Sequence, residues 1–290
     1  MLKEINAKSM LHYHEKTFAT NWDANIYRGC EHNCKYCFAQ YSHKYMETEN
    51  FFEEIFVKAN ADLILRKEFK KRKWRKFPVN VCGVSDCYQP EEKTYKIMPK
   101  VIKSFIDYKN PLVITTKSTL ILRDIELIKE LNEVSEVTIL VSVSTLDEEK
   151  RKLIEPNAAP TIERLEMLKQ FKEIGCKTAV LLMPIMPYLS DSDENLDTIF
   201  KTIKEYNLGA IITGILHLRG NTKNVFFSFL KESYPDLLDK YIYLYSKGSA
   251  DKEYRNYIYR KIEALREKYN LFDVYEPSLP KKEYKERSLF

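Results

Sequence analysis

The stretch that indicates both the fold and the chemistry of this chain reads Arg28-Gly29-Cys30-Glu31-His32-Asn33-Cys34-Lys35-Tyr36-Cys37-Phe38-Ala39-Gln40. It holds three of the six cysteines in a C-x3-C-x2-C pattern and follows Asn25–Arg28, a short stretch that predicts a first β-strand. Three thiolates on one loop can bind three irons of a cubic 4Fe–4S cluster, because sulfur is the soft ligand that such clusters need. The fourth iron then has no protein ligand and is open to a small molecule.

Two other interpretations of the cysteine loop stay open. The three cysteines with either His32 or His43 would make a four-ligand zinc site, and Cys34 with Cys37 alone would make a redox pair. Six cysteines in so long a chain do not suggest a disulfide scaffold. The position of the loop, after a first strand and before several strand–helix units, favours the iron–sulfur interpretation.

Outward from the loop, short β-branched apolar runs alternate with longer segments of helical period. The further predicted strands are Val79–Val84, Leu112–Thr116, Thr138–Val143, Thr178–Met183 and Ala210–Leu216. The predicted helices are Phe51–Lys73, Tyr95–Tyr108, Ile121–Leu131, Thr161–Ile174 and Glu194–Tyr206. Such alternation predicts parallel strands joined by right-handed crossover helices.

With the strand before the loop, the chain has six βα units and then a tail that reads mostly as helix. Six units are too few for a closed eight-stranded barrel, so we predict an α/β fold: a partial (β/α)6 TIM-like barrel with a helical C-terminal extension. A doubly wound sheet has the same periodicity and remains the alternative. No linker-like segment interrupts the chain, which predicts a single domain over residues 1–290, with the barrel at about 22–220 and the extension at about 221–290.

The composition narrows the class of protein. Hydrophobic residues make up 44% of the chain and charged residues 31%, with seven glycines, which excludes disordered and collagen-like chains. The net charge of +5 permits a phosphate-bearing partner without requiring one. Residues 1–11 lack the apolar core of a signal peptide, and the most apolar stretch, Thr178–Leu189, is too short to cross a bilayer. We therefore expect a cytoplasmic protein without membrane contact.

Polar residues follow the predicted strands at the end where the βα loops begin. In a parallel barrel these strand ends form the active-site rim, and polar groups there are costly unless they are used. The residues that we place on this rim are Cys82, Ser85, Asp86, Cys87, Lys117, Ser142, Ser144, His217 and Arg219. We expect His217 and Arg219 to face the substrate, with the Arg219 guanidinium suited to bidentate binding of an anionic group.

These motifs resemble those of a known family. The C-x3-C-x-aromatic-C loop, with Tyr36 as the aromatic residue, resembles the signature of the radical S-adenosylmethionine (SAM) superfamily. Between about residues 25 and 219 the chain is similar to the spore photoproduct lyase-like branch, most of all to lyase-like proteins of unassigned substrate. The segments that carry this likeness are Val84–Asp86, Thr116-Lys117, Ser142-Val143-Ser144, Ile154-Glu155-Pro156 with Arg164, and Met183-Pro184-Ile185.

The resemblance implies a cofactor set and a reaction. Cys30, Cys34 and Cys37 would hold a 4Fe–4S cluster, and SAM would chelate its open iron. An electron from the cluster would cleave SAM to methionine and a 5′-deoxyadenosyl radical, which abstracts hydrogen from a substrate that the sequence does not identify. The electron would come from a reducing partner of flavodoxin or ferredoxin type, and nucleic acid is a candidate substrate-bearing partner.

The same resemblance assigns roles to individual residues. It implies that Lys117 pairs with the SAM carboxylate, which suits an ammonium on a long side chain. The other residues carried over as cofactor-binding are Tyr36 near the adenine, Phe38 and Asp86 beside it in the motifs, Ser85 near the SAM amino group, and Ser142 and Ser144 on the ribose or methionine part. We expect Glu155 and Arg164 to form a buried ion pair that joins a loop to a helix.

Cys82 and Cys87 are the candidate catalytic thiols. The lyase returns a hydrogen atom from a cysteine three residues before the aspartate, where this chain has Gly83, with Cys82 one position earlier. A one-residue slip on a strand turns a side chain to the other face, so Cys82 and Cys87 are either hydrogen donors or small core residues. This shift, with no hairpin turn signal in the extension, weighs against the first alternative function, repair of DNA by a lyase of this type.

A basic run bears on the second alternative, a non-enzymatic zinc or iron–sulfur protein that binds nucleic acid. Arg66–Lys76 carries eight basic residues in eleven, interleaved with Phe69 and Trp74. Phosphate binding with base stacking is one interpretation. We expect instead the solvated outer face of the first crossover helix.

Overall fold

The computed structural model of this chain describes residues 1–15, 20–46, 48 and 50–273. The strands are β1 (Leu2–Ile5), β2 (His12–Tyr13), β3 (Trp22–Asp23), β4 (Tyr27–Arg28), β5 (Ile55–Lys58), β6 (Val79–Asn80), β7 (Leu112–Thr116), β8 (Val137–Val143), β9 (Lys177–Ile185) and β10 (Ala210–Ile215). The α-helices are α1 (Ala61–Phe69), α2 (Glu92–Tyr95), α3 (Ile97–Tyr108), α4 (Ile125–Val134), α5 (Glu148–Ile154), α6 (Thr161–Glu173), α7 (Asp193–Glu205), α8 (Asn221–Ser233), α9 (Leu238–Leu244) and α10 (Lys252–Tyr269). Short 3-10 helices span Phe38–Met46, Thr119–Asp124 and Pro235–Leu237.

The main sheet has seven strands in the order β10-β9-β8-β7-β6-β3-β2. The six strands from β3 to β10 in this order are parallel, and β2 is added antiparallel to β3 at one edge. Because β2 and β10 are the two edges, the sheet is open. This confirms the predicted α/β fold of six parallel strands with crossover helices and an unclosed barrel.

The first strand of the barrel differs from the prediction. Residues 25–28 were expected to form it, but β3 pairs with β6, while β4 pairs antiparallel with β5 in a separate three-stranded sheet of order β1-β5-β4. The chain leaves the main sheet at Asn25, whose Oδ1 accepts the Val84 amide N–H at 2.8 Å in place of a strand partner. Strands of two residues leave no periodicity in a sequence, so the prediction could not separate β3 from β4.

The segment 51–73 was predicted as one helix and this is wrong. The structure has β5, all four residues of which are buried, followed by the nine-residue α1. Ile55, Phe56 and Val57 are residues that favour strands, and pairing with both β1 and β4 overrides the helical pattern around them.

The basic run Arg66–Lys76 covers the end of α1 and the loop after it. Its two aromatic residues belong to the core. Phe69 is 6% exposed, and Trp74 lies with its ring centroid 5.1 Å from that of Trp22 and donates Nε1–H to Asn110 Oδ1 at 2.7 Å. These rings are therefore used in packing, and no aromatic ring within the run is free to stack on a base. The expectation of a solvated basic surface fits this arrangement.

The two faces of the sheet divide the core. On β8, Ile139, Val141 and Val143 pack toward the helices in the largest apolar cluster, whereas Leu140 joins the cluster on the inner face of the barrel. Alternation then directs Ser142 to the inner face, above Leu140. The inner face of the sheet is therefore apolar along the middle of the strands and polar at their carboxyl ends.

The C-terminal extension is helical, as predicted, over its described part; residues 274–290 of the predicted extension lie outside the described residues. Phe226 of α8 and Tyr241 of α9 pack in one apolar cluster with Cys34 and Tyr36. Helix α10 contacts the edge strand β10, where Arg266 donates to the Ile211 carbonyl oxygen at 2.7 Å. None of the described helices combines the length and the apolar character that crossing a membrane requires.

Candidate functional site

The cysteine loop lies at the carboxyl end of the parallel strands and brings three free thiols to one place. Cys30 and Cys34 are buried and Cys37 is half-buried. Burial raises the pKa of the Cys30 thiol to about 12 and raises the pKa of Cys34 and Cys37 as well. The pKa values of Cys34 and Cys30 are raised further by neighbouring thiols of the loop, so these sulfurs lie within electrostatic reach of one another. Soft buried thiols of this kind become thiolates when a metal binds them.

The three cysteines supply the soft sulfur donors that an iron–sulfur cluster needs, each thiolate binding a different iron. In residues 1–15, 20–46, 48 and 50–273, no three His, Cys, Asp or Glu side chains are grouped so that they could hold one metal ion. It is the chemistry of the three donors that fits a cluster.

The two histidines proposed for a zinc site are engaged by the protein to different extents. Nδ1 of His32 lies 3.1 Å from the Asn157 carbonyl oxygen and its Nε2 lies 3.0 Å from Asp86 Oδ2. His43 directs Nε2 to the Glu54 carbonyl oxygen at 2.8 Å, whereas its Nδ1 is buried without a hydrogen-bond partner in the described chain. The geometry therefore disfavours His32 as a zinc ligand.

Backbone geometry fixes the shape of the loop. Gly29 has φ of 82°, and a Cβ atom there would lie 2.4 Å from the Glu54 carbonyl oxygen, so only glycine fits. The Cys37 amide donates to the Cys34 carbonyl oxygen at 3.1 Å, and Thr222 of α8 donates its hydroxyl to the Cys37 carbonyl oxygen at 2.9 Å. The extension therefore holds the third cysteine.

Asp86 joins the loop to the end of β7. Its buried carboxylate accepts hydrogen bonds from Thr116 Oγ1 at 2.8 Å, from the Lys117 amide at 2.7 Å and from the Tyr88 amide at 2.9 Å, besides facing His32. Burial alone would raise the pKa of Asp86, but His32 and the amide donors lower it to about 2. Because these protein donors occupy both oxygens, Asp86 shapes the site, and its predicted contact with the cofactor stays a prediction.

Lys117 points its ammonium toward the loop. The Nζ atom lies 5.7 Å from the centroid of the Tyr36 ring. Burial lowers the pKa of Lys117, but the negative charges of Cys34 and Glu155 outweigh it and the net direction is upward. Among the residues that the structure describes, no hydrogen-bond or ion-pair partner of this ammonium is found. A half-buried cation of this kind is suited to a ligand carboxylate.

Tyr36 is buried and donates its hydroxyl to Glu155 Oε1. The other oxygen of Glu155 lies 2.6 Å from Arg164 Nη2, and the exposed fractions of the two side chains are 1% and 0%. The predicted buried ion pair is thus confirmed. Ser144 donates its hydroxyl to Glu155 Oε1 at 3.3 Å, so its predicted contact with SAM would compete with a protein partner.

Two further hydroxyls lie at the inner face. Ser142 is 6% exposed and is directed inward from β8, while Ser85 donates its hydroxyl to the Tyr27 carbonyl oxygen at 2.8 Å. Sequence reasoning missed Thr115, which shares a face of β7 with Val113 and has a buried Oγ1 atom without a hydrogen-bond partner in the described part of the chain. Strand alternation from Val113 would have indicated it. An orphaned hydroxyl beside the thiol loop fits a ligand-binding face.

Phe38 does not join this group. It begins the 3-10 helix after the loop and is 64% exposed. The structure does not bring it to the inner face, and its predicted contact with the cofactor stays a prediction without a geometric basis.

Cys82 and Cys87 are paired as a disulfide, with their Cα atoms 5.5 Å apart. In this state neither sulfur carries a hydrogen atom to donate. Both residues pack in the large apolar cluster between the sheet and its helices, which is the core alternative of the prediction. A role as hydrogen donor would require the reduced pair and stays a prediction.

His217 and Arg219 follow β10 and are both exposed. Leu216 and Leu218, which alternate with them, face the apolar cluster that contains Cys34. His217 instead forms a β-bridge with Ser249, and Arg219 packs against Gly248. The structure therefore places the two polar side chains on the outside of this segment, not toward the thiols as expected, because the strand ends at Ile215 and the alternation after it turns them outward.

Sequence reasoning also missed the segment that supports the loop. Asn157 donates Nδ2–H to the Glu31 carbonyl oxygen at 2.7 Å and its own carbonyl oxygen faces His32, while the Lys35 amide donates to the Ile154 carbonyl oxygen at 2.9 Å. The Ile154–Asn157 segment was noted for its Ile-Glu-Pro motif, and nothing in the sequence connects it with residues 31–36.

Comparison with known proteins agrees with this site. Two proteins of uncharacterised function are similar: one from Mycobacterium tuberculosis, 32% identical over 266 residues, covering 90% of this chain and 78% of the relative, and one from Methanocaldococcus jannaschii, 33% identical over 168 residues, covering 58% of this chain and 61% of the relative. Among solved structures, spore photoproduct lyase complexed with dinucleoside spore photoproduct superposes with a TM-score of 0.69 at 13% identity, covering 92% of this chain and 79% of the lyase. At that identity the likeness shows the fold alone.

A family model described as the Radical SAM superfamily matches residues 24–200. This range covers more than half of the chain and contains the thiol loop, Asp86, Lys117 and the Glu155–Arg164 pair. The family implies SAM and an iron–sulfur cluster as cofactors. With this match, the fold and the three convergent thiols, the chain belongs to the radical SAM superfamily of enzymes.

Proposed function

We propose that this enzyme holds one 4Fe–4S cluster through Cys30, Cys34 and Cys37 and cleaves SAM reductively to begin hydrogen abstraction from a substrate not yet identified. The observation that carries the proposal is the placement of three free thiols beside the Lys117 ammonium, which has charged neighbours but no hydrogen-bond partner in the described chain. When bound, the cluster and SAM supply the electron and the 5′-deoxyadenosyl radical that this chemistry uses.

The residues of the chain bind SAM and orient it. Lys117 is the group for the carboxylate of SAM, and the inward hydroxyls of Thr115, Ser142 and Ser144 are the groups for its polar atoms. Asp86 accepts the Lys117 amide N–H and so fixes the backbone from which this side chain extends.

The extension closes the site against water. Helices α8 and α9 place Phe226, Tyr241 and Tyr245 in the cluster that buries Cys34 and Tyr36. Exclusion of water protects a reactive radical from side reactions. The reducing equivalents come from an external donor, for which we propose a protein of flavodoxin or ferredoxin type.

The test is anaerobic reconstitution with iron and sulfide, reduction with SAM present, and assay for 5′-deoxyadenosine. The variants Cys30→Ala, Cys34→Ala and Cys37→Ala are each expected to abolish its release. The matched control is Cys176→Ala, a free and buried cysteine before β9, which should keep it. A protein that purifies with one tightly held zinc ion and leaves SAM intact would contradict the proposal.

A second candidate is lyase action on a dinucleoside photoproduct, favoured by the fold likeness to spore photoproduct lyase. One feature weighs against it. The hydrogen-donor cysteine of the lyase pattern would fall on Gly83, where a Cβ atom would lie 2.5 Å from Asp23 Oδ2. A side chain there requires Asp23 to move, and Asp23 is held 3.3 Å from His14.

This second candidate has a direct test. The reduced, cluster-loaded protein is incubated with SAM and dinucleoside spore photoproduct, and consumption of the photoproduct is followed by chromatography. Consumption that depends on Cys34 would establish the lyase reaction. Release of 5′-deoxyadenosine with the photoproduct untouched would exclude it and leave the main proposal in place.

A further inference from the structure

Glu155 is a buried carboxylate whose charge is already neutralised. Arg164 holds Oε2 through Nη2 at 2.6 Å, and its other two nitrogens each donate to a backbone oxygen, Nη1 to Ser142 at 3.0 Å and Nε to Ala159 at 2.7 Å. A guanidinium bound on three sides cannot turn, so it fixes the carboxylate in place. A pair made only for stability could have been replaced by apolar side chains at little cost, which raises the question of what the carboxylate does.

The Glu155 oxygen that Arg164 does not bond is Oε1, and it faces the side on which SAM is proposed to bind. Oε1 accepts the hydroxyls of Tyr36 and Ser144, one from the cysteine loop and one from the end of β8. The structure records no backbone donor to either oxygen of Glu155 among the described residues. The orientation of two side chains predicted to touch SAM therefore depends on one atom.

Lys117 completes the arrangement. Its ammonium lies over the Tyr36 ring and within the electrostatic reach of Glu155 and Cys34. Arg164 pairs with Glu155, and Lys117 has no ion-pair partner in the described chain, so its charge is left for a ligand. Because Glu155 fixes the Tyr36 hydroxyl and the ammonium lies over the Tyr36 ring, Glu155 acts on Lys117 through this ring.

The backbone next to Glu155 supports the same loop. Ile154 accepts the Lys35 amide, and Asn157 bonds to Glu31 and faces His32. One four-residue segment thus contacts the cysteine loop along most of its length, and Glu155 is the member whose side chain accepts the Tyr36 hydroxyl.

We propose that Glu155 is a positioning residue: held by Arg164, it orients Tyr36, Ser144 and the Lys117 ammonium into a preformed seat for SAM beside the cysteine loop. The inference rests on the proposed function, and it assigns to Glu155 an effect on SAM binding and not on cluster assembly, since the three thiols do not bond to it.

The experiment compares Glu155→Gln with a matched control, Glu92→Gln. Glu92 is also fully buried, accepts a tyrosine hydroxyl from Tyr27 and pairs with Arg123, but in the described chain no hydrogen bond joins its carboxylate to residues 30–37. Both variants and the wild-type chain are reconstituted anaerobically. Iron per chain, the SAM dissociation constant by calorimetry, and the electron paramagnetic resonance spectrum of the reduced cluster with and without SAM are measured.

For Glu155→Gln we expect iron content as in the wild type, a dissociation constant for SAM raised about tenfold or more, and a reduced spectral response to SAM. Glu92→Gln should keep both the affinity and the response. Equal SAM affinity in Glu155→Gln and wild type would overturn the proposal, and so would an equal loss in Glu92→Gln, which would indicate general destabilisation.

If Glu155→Gln does not fold, Tyr36→Phe carries the test, because it keeps the Glu155–Arg164 pair and removes one hydroxyl. Weakened SAM binding at full iron content supports the proposal, and unchanged affinity rejects it. A wild-type protein that assembles no cluster contradicts the proposed function itself, whereas a wild type that binds cluster and SAM while Glu155→Gln behaves identically contradicts this inference alone.

Discussion

The described part of the chain contains two triads of the same composition, Tyr27–Glu92–Arg123 and Tyr36–Glu155–Arg164, each built around a buried carboxylate. In each, a tyrosine hydroxyl and a guanidinium bond to one carboxylate. They differ in what else the carboxylate meets. The oxygens of Glu92 accept the amide N–H groups of Ile97 and Met98 at 3.1 and 3.0 Å, whereas the free oxygen of Glu155 meets only hydroxyls.

This difference separates a structural triad from one that builds a site. Amides at the start of α3 bind Glu92 through rigid backbone, and the negative charge suits the positive end of that helix. The Glu155 triad is assembled from side chains of three separate segments, Ser144 of β8 adds a further donor, and the Lys117 cation acts on the carboxylate. A carboxylate bound by backbone amides stabilises the fold. A carboxylate bound by side chains also fixes those side chains, which in turn orient a ligand that they contact.

The largest effect is expected from removal of the arginines. Arg164→Met leaves the Glu155 charge buried and unpaired, and should lower the free energy of unfolding by about 3–5 kcal/mol. Arg123→Met should cost less, about 1–2 kcal/mol, since the amides still satisfy Glu92. Denaturant unfolding of both variants measures the difference. Equal losses would remove the distinction between the triads.

The tyrosine hydroxyls give the next effect. Tyr36→Phe and Tyr27→Phe each take one donor from a buried carboxylate, and we expect a loss of about 1–3 kcal/mol in unfolding free energy for both. Only Tyr36→Phe should also weaken SAM binding. The distinction between the triads holds if calorimetry shows weaker SAM binding for Tyr36→Phe alone while the melting temperatures of the two variants agree. It fails if Tyr27→Phe binds SAM as poorly as Tyr36→Phe.

The stability that the Glu155 triad contributes should depend on pH in the acid range. Burial raises the pKa of Glu155, but Arg164 and Lys117 lower it to about 2, below the ordinary value of 4.5. A lowered folded-state pKa gives stability that is present above pH 4.5 and is lost as the pH falls toward 2. The slope of unfolding free energy against pH in that window should be shallower in Glu155→Gln than in the wild type. An unchanged slope would show that Glu155 does not titrate in this way.

The smallest effect is expected at Ser144. Its hydroxyl lies 3.3 Å from Glu155 Oε1, a long hydrogen bond, so Ser144→Ala should cost about 1 kcal/mol or less in stability. SAM affinity should change by less than about threefold, within the range of one weak hydrogen bond. A loss of tenfold or more would place Ser144 in direct contact with the ligand.

Prediction from the sequence was most successful where the residues concerned lie close together in the chain. The three cysteines, five of the six parallel strands and the Glu155–Arg164 pair could be predicted, because the cysteine spacing and the strand periods are local patterns and the ion pair lies within ten residues. The two-residue strands β3 and β4 could not, since β4 is selected by pairing with β5 about thirty residues later.

The supports of the site were beyond prediction for the same reason. Asn157 meets His32 across 125 residues, and no local pattern connects them. Strand alternation misled at His217 and Arg219, where the strand ended one residue earlier than expected. The pairing of Cys82 with Cys87 depends on how the chain bends after β6, which the spacing of the cysteines does not fix.

The bond from Thr222 to the Cys37 carbonyl oxygen spans 185 residues and has a consequence for synthesis. At a translation rate of 5–20 residues per second, the cysteine loop waits roughly 10–40 s for Thr222 to be made. During that interval the nascent chain exposes three thiols without their final supports. The loop therefore gains its last support only after Thr222 has been made, and a message truncated before codon 222 would yield a chain whose loop lacks this bond.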